Sequence, residues 1–471
     1  MGRILHLTNL LPLLVGAHFS TAQPSIQWQR CLGGAGGDFG TCIRPTTDGG
    51  YVLSALTTSN SGDVSGNHGG SYDAWVVKTD AGGALQWQRC LGGSGSDEAN
   101  TIQQTADEGY IIGGSTTSSD GDVSGYHNAG SAIPRPDAWV VKLDADGAIQ
   151  WQKCLGGWER DGITAILQAD DGGYICAGST YSNDGDVSGN HGAFDAWVVK
   201  LDISGALQWQ KCLGGTLADA GYSILQSAEL GYLVAGQTRS DDGDVIGQHG
   251  IGTTNDAWAV KLDALGAIQW QRCLGGSSFE TAYSAVQAAD SGYVLAGVTD
   301  SYNGDVSGSH GSGDDMWVVK LDRDGSLEWQ KCLGGNAHDR AEAICLNGAD
   351  AYVVAGRALS NNFDVSNNHG DYDVWVVKLG PADVGLAEND PNHFTVSPNP
   401  AQSSITLDFG HKALPEHLSL LDAAGRVLSM WSLMDTTSPF VLDLSDHDSG
   451  LYLVQLRFDD GSTATERLVK K

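Results

Sequence analysis

Apolar residues along most of this chain come in short runs, each bounded by Gly, Asp, Asn or Ser. The stretch 148–202 shows the pattern: AIQWQKCL (148–155), ITAILQA (163–169), GYICAGST (173–180) and DAWVVKLD (195–202). These runs are rich in β-branched and aromatic residues and their boundaries are turn formers, which predicts four strands. No run repeats its apolar positions with the period of a helix. The group of four then recurs. Trp28, Trp87, Trp151, Trp209, Trp270 and Trp329 each open one unit, about 60 residues apart, so the chain is a tandem array of six.

Several strands are apolar on both faces. In AWVVK, Trp197 and Val199 point one way and Ala196 and Val198 the other. Such a strand needs a packed layer above and below it. Four-stranded sheets stacked around an axis supply both layers, so the expected fold is all-β, a six-bladed β-propeller of four-stranded repeats. A β-solenoid is a poorer fit, because its coils run to roughly 20 to 30 residues. The first QWQRCL has no three strands before it, and the last DVWVVKL (373–379) has no QWQ strand after it. Residues 25–32 are therefore expected to complete the sixth sheet. Twelve of the fourteen tryptophans occupy two repeated strand positions, and are read as packing between blades.

The chain is expected to divide into a signal peptide (1–22), the repeat region (23–379), a linker (380–393) and a C-terminal domain (394–471). Arg3, the short apolar core from Leu10 to Ala17 and the small residues around Ala22 carry the signal reading. No segment has the length of apolar sequence that spans a bilayer, so no transmembrane helix is expected. A net charge of −31 among 471 residues disfavours nucleic acid and anionic membranes as partners. The 65 glycines fit a chain of many tight turns. Nine cysteines in an exported chain first suggest disulfides. Cys31, Cys90, Cys154, Cys212, Cys273 and Cys332 instead sit in one repeated phrase, CLGG, and are too regularly placed to pair with one another. With Cys42, Cys176 and Cys345 they are read as buried small hydrophobes.

Two connections per unit should emerge at one end of the sheets: the one after CLGG, and the loop typified by DGDVSGNH (184–191). Binding residues concentrate on such loops. Asp184, Asp186 and Ser188, and likewise Asp120, Asp122 and Ser124, alternate oxygen ligands before a glycine, as calcium loops do. Calcium is thus the candidate cofactor. The competing reading is that the carboxylates cap turn amides and the loop histidine bonds nearby. A second acidic position, at Asp38, Asp97, Asp161, Asp219, Glu280 and Asp339, precedes each opening strand. It either rings a channel mouth or caps its own loop. Function needs broken symmetry. Trp158, Glu159 and Arg160 replace small residues in one connection, and Arg135 lies in the nearby insertion SAIPRP (131–136). An aromatic with an acid and arginines can stack on and hydrogen-bond a sugar or peptide. No catalytic motif is found, neither G-x-S-x-G nor H-E-x-x-H nor a phosphate loop. The expected function is a surface or secreted binding or adhesion scaffold for a glycan or protein ligand. The alternative is a secreted glycan hydrolase or lyase working from the loop-rich end.

After residue 393 the repeat is gone, and short strand-like phrases suggest a small β-sandwich. Ser397-Pro398-Asn399-Pro400, Asp422 with Gly425-Arg426-Val427, Gly450-Leu451-Tyr452-Leu453-Val454 and the terminal Lys470-Lys471 occur in order. This tail resembles the type A C-terminal sorting domain of the type IX secretion system of Bacteroidota. The resemblance implies passage through the periplasm, recognition by the type IX machinery at the outer membrane, and either attachment at the cell surface or release. The repeat region is similar to the WQK-LGG/DGDVSGNHG/WVVKLD repeat proteins that often carry this tail. It implies no activity, and this chain departs from it in having cysteine before LGG.

Overall fold

Strand runs of seven or eight residues joined by tight turns fold as meanders. The computed structural model describes residues 28–250, 252–348, 351–380, 394–397, 401–408, 415–422, 426–433, 440–458 and 463–470. Residues 1–27, including the expected signal peptide, and most of the expected linker lie outside them. The chain divides into two compact units: residues up to Cys345 with Val354–Val376, and Leu346–Val353 with Val377–Lys471.

The repeat region is all-β, as the sequence predicts. In the third sheet the antiparallel strands Asp161–Gln168, Tyr174–Thr180, Asp195–Leu201 and Leu207–Leu213 lie side by side in chain order. The first, second, fourth and fifth sheets repeat this arrangement. The turn between third and fourth strands is closed by an aspartate. Asp202 Oδ1 accepts the N–H groups of Ser204 and Ala206 at 2.8 and 2.9 Å. Gly205, at φ 80°, takes the left-handed position there.

That glycine has a second duty. A Cβ on Gly205 would lie 2.8 Å from the ring of Trp151, which belongs to the preceding sheet. Gly83, Gly147, Gly266 and Gly325 face Trp28, Trp87, Trp209 and Trp270 in the same way. The QWQ tryptophans therefore do pack between sheets, each also beside a tyrosine of the next sheet, as Trp151 is beside Tyr174 at 5.5 Å. The second set, Trp75, Trp139, Trp197, Trp258 and Trp317, is buried. Each of these indoles donates to the second glutamine of QWQ, as Trp197 Nε1 does to Gln210 Oε1 at 2.9 Å. Between sheets, Ala177, Ala196 and Val198 of the third interdigitate with Ile224, Val234 and Trp258 of the fourth.

The third strands also bury a lysine. Lys200 Nζ lies 2.8 Å from Asp171 Oδ2 and donates to the Leu201 carbonyl at 3.1 Å. Lys78, Lys142 and Lys320 are held alike by Asp48, Asp107 and Asp290. Lys261 is the exception. Glu229 stands where Asp171 would be, and burial pulls the Lys261 pKa down.

Two expectations need correcting. Among the described residues the sixth sheet has three strands, Asp339–Leu346, Tyr352–Ala358 and Asp373–Leu379. Of the segment expected to complete it, residues 25–27 lie outside the described residues, and 28–32 form no strand. The outward faces of the first and sixth sheets are exposed, with Ile43, Val374 and Val376 on them. The cysteines also divide. Cys90, Cys154, Cys176, Cys212, Cys273 and Cys332 are buried, but Cys31 and Cys345 are exposed and Cys42 is half-buried. Cys31 and Cys345 belong to the parts of the array that lack a full set of neighbours.

The tail forms two antiparallel sheets. One joins Thr395–Ser397, Ser404–Asp408 and Phe440–Asp443. The other orders Val427–Ser432, His417–Asp422, Gly450–Arg457 and Thr463–Lys470. Between them lies a core of Phe394, Ile405, Leu407, Leu418, Leu420, Val454 and Leu456.

Asp171→Asn leaves the Lys200 ammonium buried without its counter-charge, and should destabilise the repeat region by about 2 kcal/mol, discounted for the exposure of Asp171. Lys261→Met removes a buried charge that lacks the ion pair of its counterparts, and should be neutral or stabilising. Urea unfolding followed by tryptophan fluorescence measures both.

Candidate functional site

The loops at the CLGG end are built by carboxylates that accept backbone amides. Asp161 accepts the Gly157 N–H at 2.8 Å and the Ser182 hydroxyl at 2.8 Å through Oδ2, and the Thr180 hydroxyl through Oδ1. Asp97, Asp219, Glu280 and Asp339 do the same work and are likewise buried. This acidic series therefore caps its own loops. A buried carboxylate already holding three donors is in no position to act as one of a glycosidase pair.

The calcium-like residues are engaged separately. Asp184 Oδ1 accepts the Trp158 N–H at 2.9 Å, and Asp120 Oδ1 accepts that of Ser94 at 2.7 Å. Ser188 and Ser124 hydroxyls accept from Gln210 and Gln152 at 2.9 and 2.6 Å. Asp186 Oδ2 lies 3.6 Å from His127 Nε2, and Asp122 Oδ2 the same distance from His68 Nε2. Each potential ligand thus turns to a different partner. Among the described residues no group of three or more His, Cys, Asp or Glu is arranged to hold a metal.

The loop histidine is a strut between sheets. His127 Nδ1 is 2.7 Å from Asp137 Oδ2 on its own sheet, while Nε2 faces Asp186 on the next. The pattern recurs at His68, His249 and His310. Asp137 is fully buried and its Oδ1 has no hydrogen-bond partner, as in Asp73, Asp195, Asp256 and Asp315. Burial pushes the Asp137 carboxyl up to about 6, against the hydrogen bonds from His127 and with the Asp161 charge adding to the rise.

The broken-symmetry patch does assemble. Arg135 and Glu159 form an ion pair. The Tyr126 hydroxyl donates to the Arg135 carbonyl at 2.8 Å and so fixes the inserted loop. Asn128 Nδ2 donates to the Trp158 carbonyl at 3.1 Å. The Trp158 ring is left 50% exposed beside this pair. The Arg160 side chain is exposed, and its carbonyl accepts the Tyr181 N–H at 2.8 Å. Tyr181 stacks on Phe194 at 4.8 Å, which places a second exposed aromatic on the same loops.

A second asymmetric feature was not foreseen. Three residues after the capping carboxylate, Thr41, Asn100 and Thr164 donate to backbone carbonyls of the next sheet. Tyr222 and Tyr283 replace them and lie 5.5 Å apart instead. Arg340 sits over Tyr283 at 5.4 Å. Tyr283 and Arg340, together with Gln237, Asn255 and Phe279, border a cleft of about 260 Å³. The substitutions were visible in the sequence, but strand alternation gave no reason to place these residues together.

The two-sheet domain at the C-terminus carries the remaining candidates. The Tyr452 hydroxyl donates to the Asp448 carbonyl at 2.7 Å, and Lys470 Nζ to the carbonyl of His447. Gly450 pairs with Lys470 across the sheet. Ser397 ends the first strand. Pro398, Asn399, Pro400, Gly425 and Lys471 lie outside the described residues. Residues 395–471 match the family model of the secretion system C-terminal sorting domain. The tail is a sorting domain. A sorting domain of this kind implies export, ending in secretion or at the cell surface, and interaction with the type IX machinery. Among the described residues no helix is long and apolar enough to cross a membrane.

No curated protein matches the chain. Among solved structures it is similar to the Pan2 WD40 domain of Neurospora crassa, at 9% identity and TM-score 0.36, over 67% of this chain and 85% of that one. It is also similar to Sqt1 from Chaetomium thermophilum, at 9% identity and TM-score 0.37, over 91% and 83%. A puromycin hydrolase structure matches at 11% identity and TM-score 0.36, over 79% and 50%. These are loose likenesses of architecture, and no activity is carried over from them.

The titration of Asp137 has a sign. Its raised pKa means the folded state holds the proton more tightly than the unfolded chain. The stability this adds is present at about pH 4 and is lost as pH rises through about 6, an effect on the order of 2 kcal/mol. Asp137→Asn keeps the neutral form at every pH. The stability gap between variant and wild type should therefore shift in favour of the variant from pH 4 to pH 7.5, as read by urea titrations at each pH.

Proposed function

We propose that this protein is an exported binding scaffold, displayed at the cell surface or released, whose loop-bearing end recognises a glycan or protein ligand. The observation that supports this reading most directly is the exposed Trp158 ring beside the Arg135–Glu159 pair. An exposed tryptophan next to a fixed ion pair offers a stacking surface with oriented donors and acceptors at its rim. The other sheets carry Ala35, Ser94, Thr216, Ser277 and Asn336 at the Trp158 position, so this aromatic is written once in an otherwise repeated frame.

The repeated carboxylates support a scaffold over a hydrolase. All serve the fold in equivalent ways, and none is set apart from its copies as an acid or a nucleophile. The sorting domain supplies delivery. In this reading the signal peptide takes the chain to the periplasm, and the tail hands it to the type IX machinery.

A glycan array, followed by titration with the best binder, tests the binding reading. Trp158→Ala should weaken binding by roughly tenfold or more, and Arg135→Ala by a few-fold. Binding that survives both substitutions unchanged would sink this site. Deleting residues 394–471 should leave the protein in the periplasm, as measured by fractionation of the native host. Normal export of the truncated chain would refute the role of the tail.

A further inference from the structure

The five full sheets and the sixth repeat one interface, and half of that interface is left open at each end. Inside the array, Ala74 and Val76 of the first sheet pack with Ile102 of the second, and all three are fully buried. The residue equivalent to Ile102 on the first sheet is Ile43, which is 53% exposed. The residues equivalent to Ala74 and Val76 on the sixth sheet are Val374 and Val376, which are 83% and 58% exposed. Both faces are open in the same folded chain, so neither covers the other. Each is built by the repeat to receive what the other presents.

The segment before the first sheet sharpens this complementarity. Trp28 lies against Gly83 and Tyr51 as Trp87 lies against Gly147 and Tyr110. Leu32 packs on the first sheet's cluster of Ala55, Val64 and Trp75. Residues 28–32 thus sit on the first sheet in the position of a fourth strand whose own sheet is missing. Among the described residues the sixth sheet has no fourth strand. Its third strand carries Trp375, the counterpart of Trp197, and the segment carries Gln29, the counterpart of Gln210 that accepts the Trp197 indole.

We propose that copies of this chain associate head to tail. The sixth sheet of one copy seats on the first sheet of the next, and residues 28–32 of that next copy complete the sixth sheet as its edge strand. This is strand addition guided by an apolar face. Because the two surfaces are different, the contact is heterologous and propagates unless the rotation closes it into a ring.

Sedimentation velocity of the full chain over a wide concentration range tests this. The wild type should form dimers and longer species as concentration rises. Ile43→Lys blocks the receiving face and Val376→Lys the incoming one, so each variant alone should be monomeric, with association weakened roughly tenfold or more. An equimolar mixture of the two variants retains one good face of each kind and should stop at dimers, which also shows that both variants are folded. A wild type that stays monomeric at every concentration overturns the proposal. So does a monomer whose Asp373–Leu379 amides are protected from hydrogen exchange, since its own chain would then cover the face. Concentration-dependent association that persists in each variant alone also overturns it.

Discussion

The structure depends on the docking of one sheet onto the next. A single four-stranded sheet of these sequences has apolar side chains on both faces and cannot bury either alone. Stacking solves this, and it sets strict local terms. The tryptophan of each QWQ strand needs a flat seat on the following sheet, and a glycine in a left-handed turn provides it. The indole of the third-strand tryptophan is buried in the first five sheets, and the second QWQ glutamine satisfies its N–H. These are the positions at which the repeat tolerates least variation among its copies.

Polar groups lace the same contact at the loop end. Each connection after CLGG is held by a buried carboxylate from the sheet it leads into. Four loop histidines, His68, His127, His249 and His310, span from an aspartate of their own sheet to one of the next. The arrangement leaves one buried carboxylate oxygen unpartnered in five of the sheets. The loop end is therefore a surface whose acidic residues are mostly committed to structure. What remains for recognition are the side chains that depart from the repeat: Trp158 with its ion pair, and the cleft bordered by Tyr283 and Arg340. The sorting domain shares none of this logic and buries a conventional core between two small sheets.

Much of this was legible in the residues. The sixfold spacing, the four-strand unit, the packing role of most of the repeated tryptophans and the sorting motif of the tail all follow from short-range pattern. Periodicity records which face of a strand is buried. The assembled patch of Arg135 and Glu159 was also reachable, because an insertion and a substitution fell on connections that must emerge at one end. The cleft was not, because Tyr283 and Arg340 come together only through the packing of neighbouring sheets. Nor were the buried lysines, since a lysine in a strand pattern reads as a solvated edge until its aspartate is seen beneath it.

The sequence by itself determined what each repeat is and which faces it must hide. It did so because side-chain alternation and turn chemistry act within a few residues. The tertiary structure alone decided what the carboxylates do and how the array ends. A calcium loop and a capped turn use the same aspartates, and only the direction of each oxygen separates them. Whether residues 28–32 complete the sixth sheet depends on the summed geometry of every contact between the two ends, and no local pattern encodes that sum.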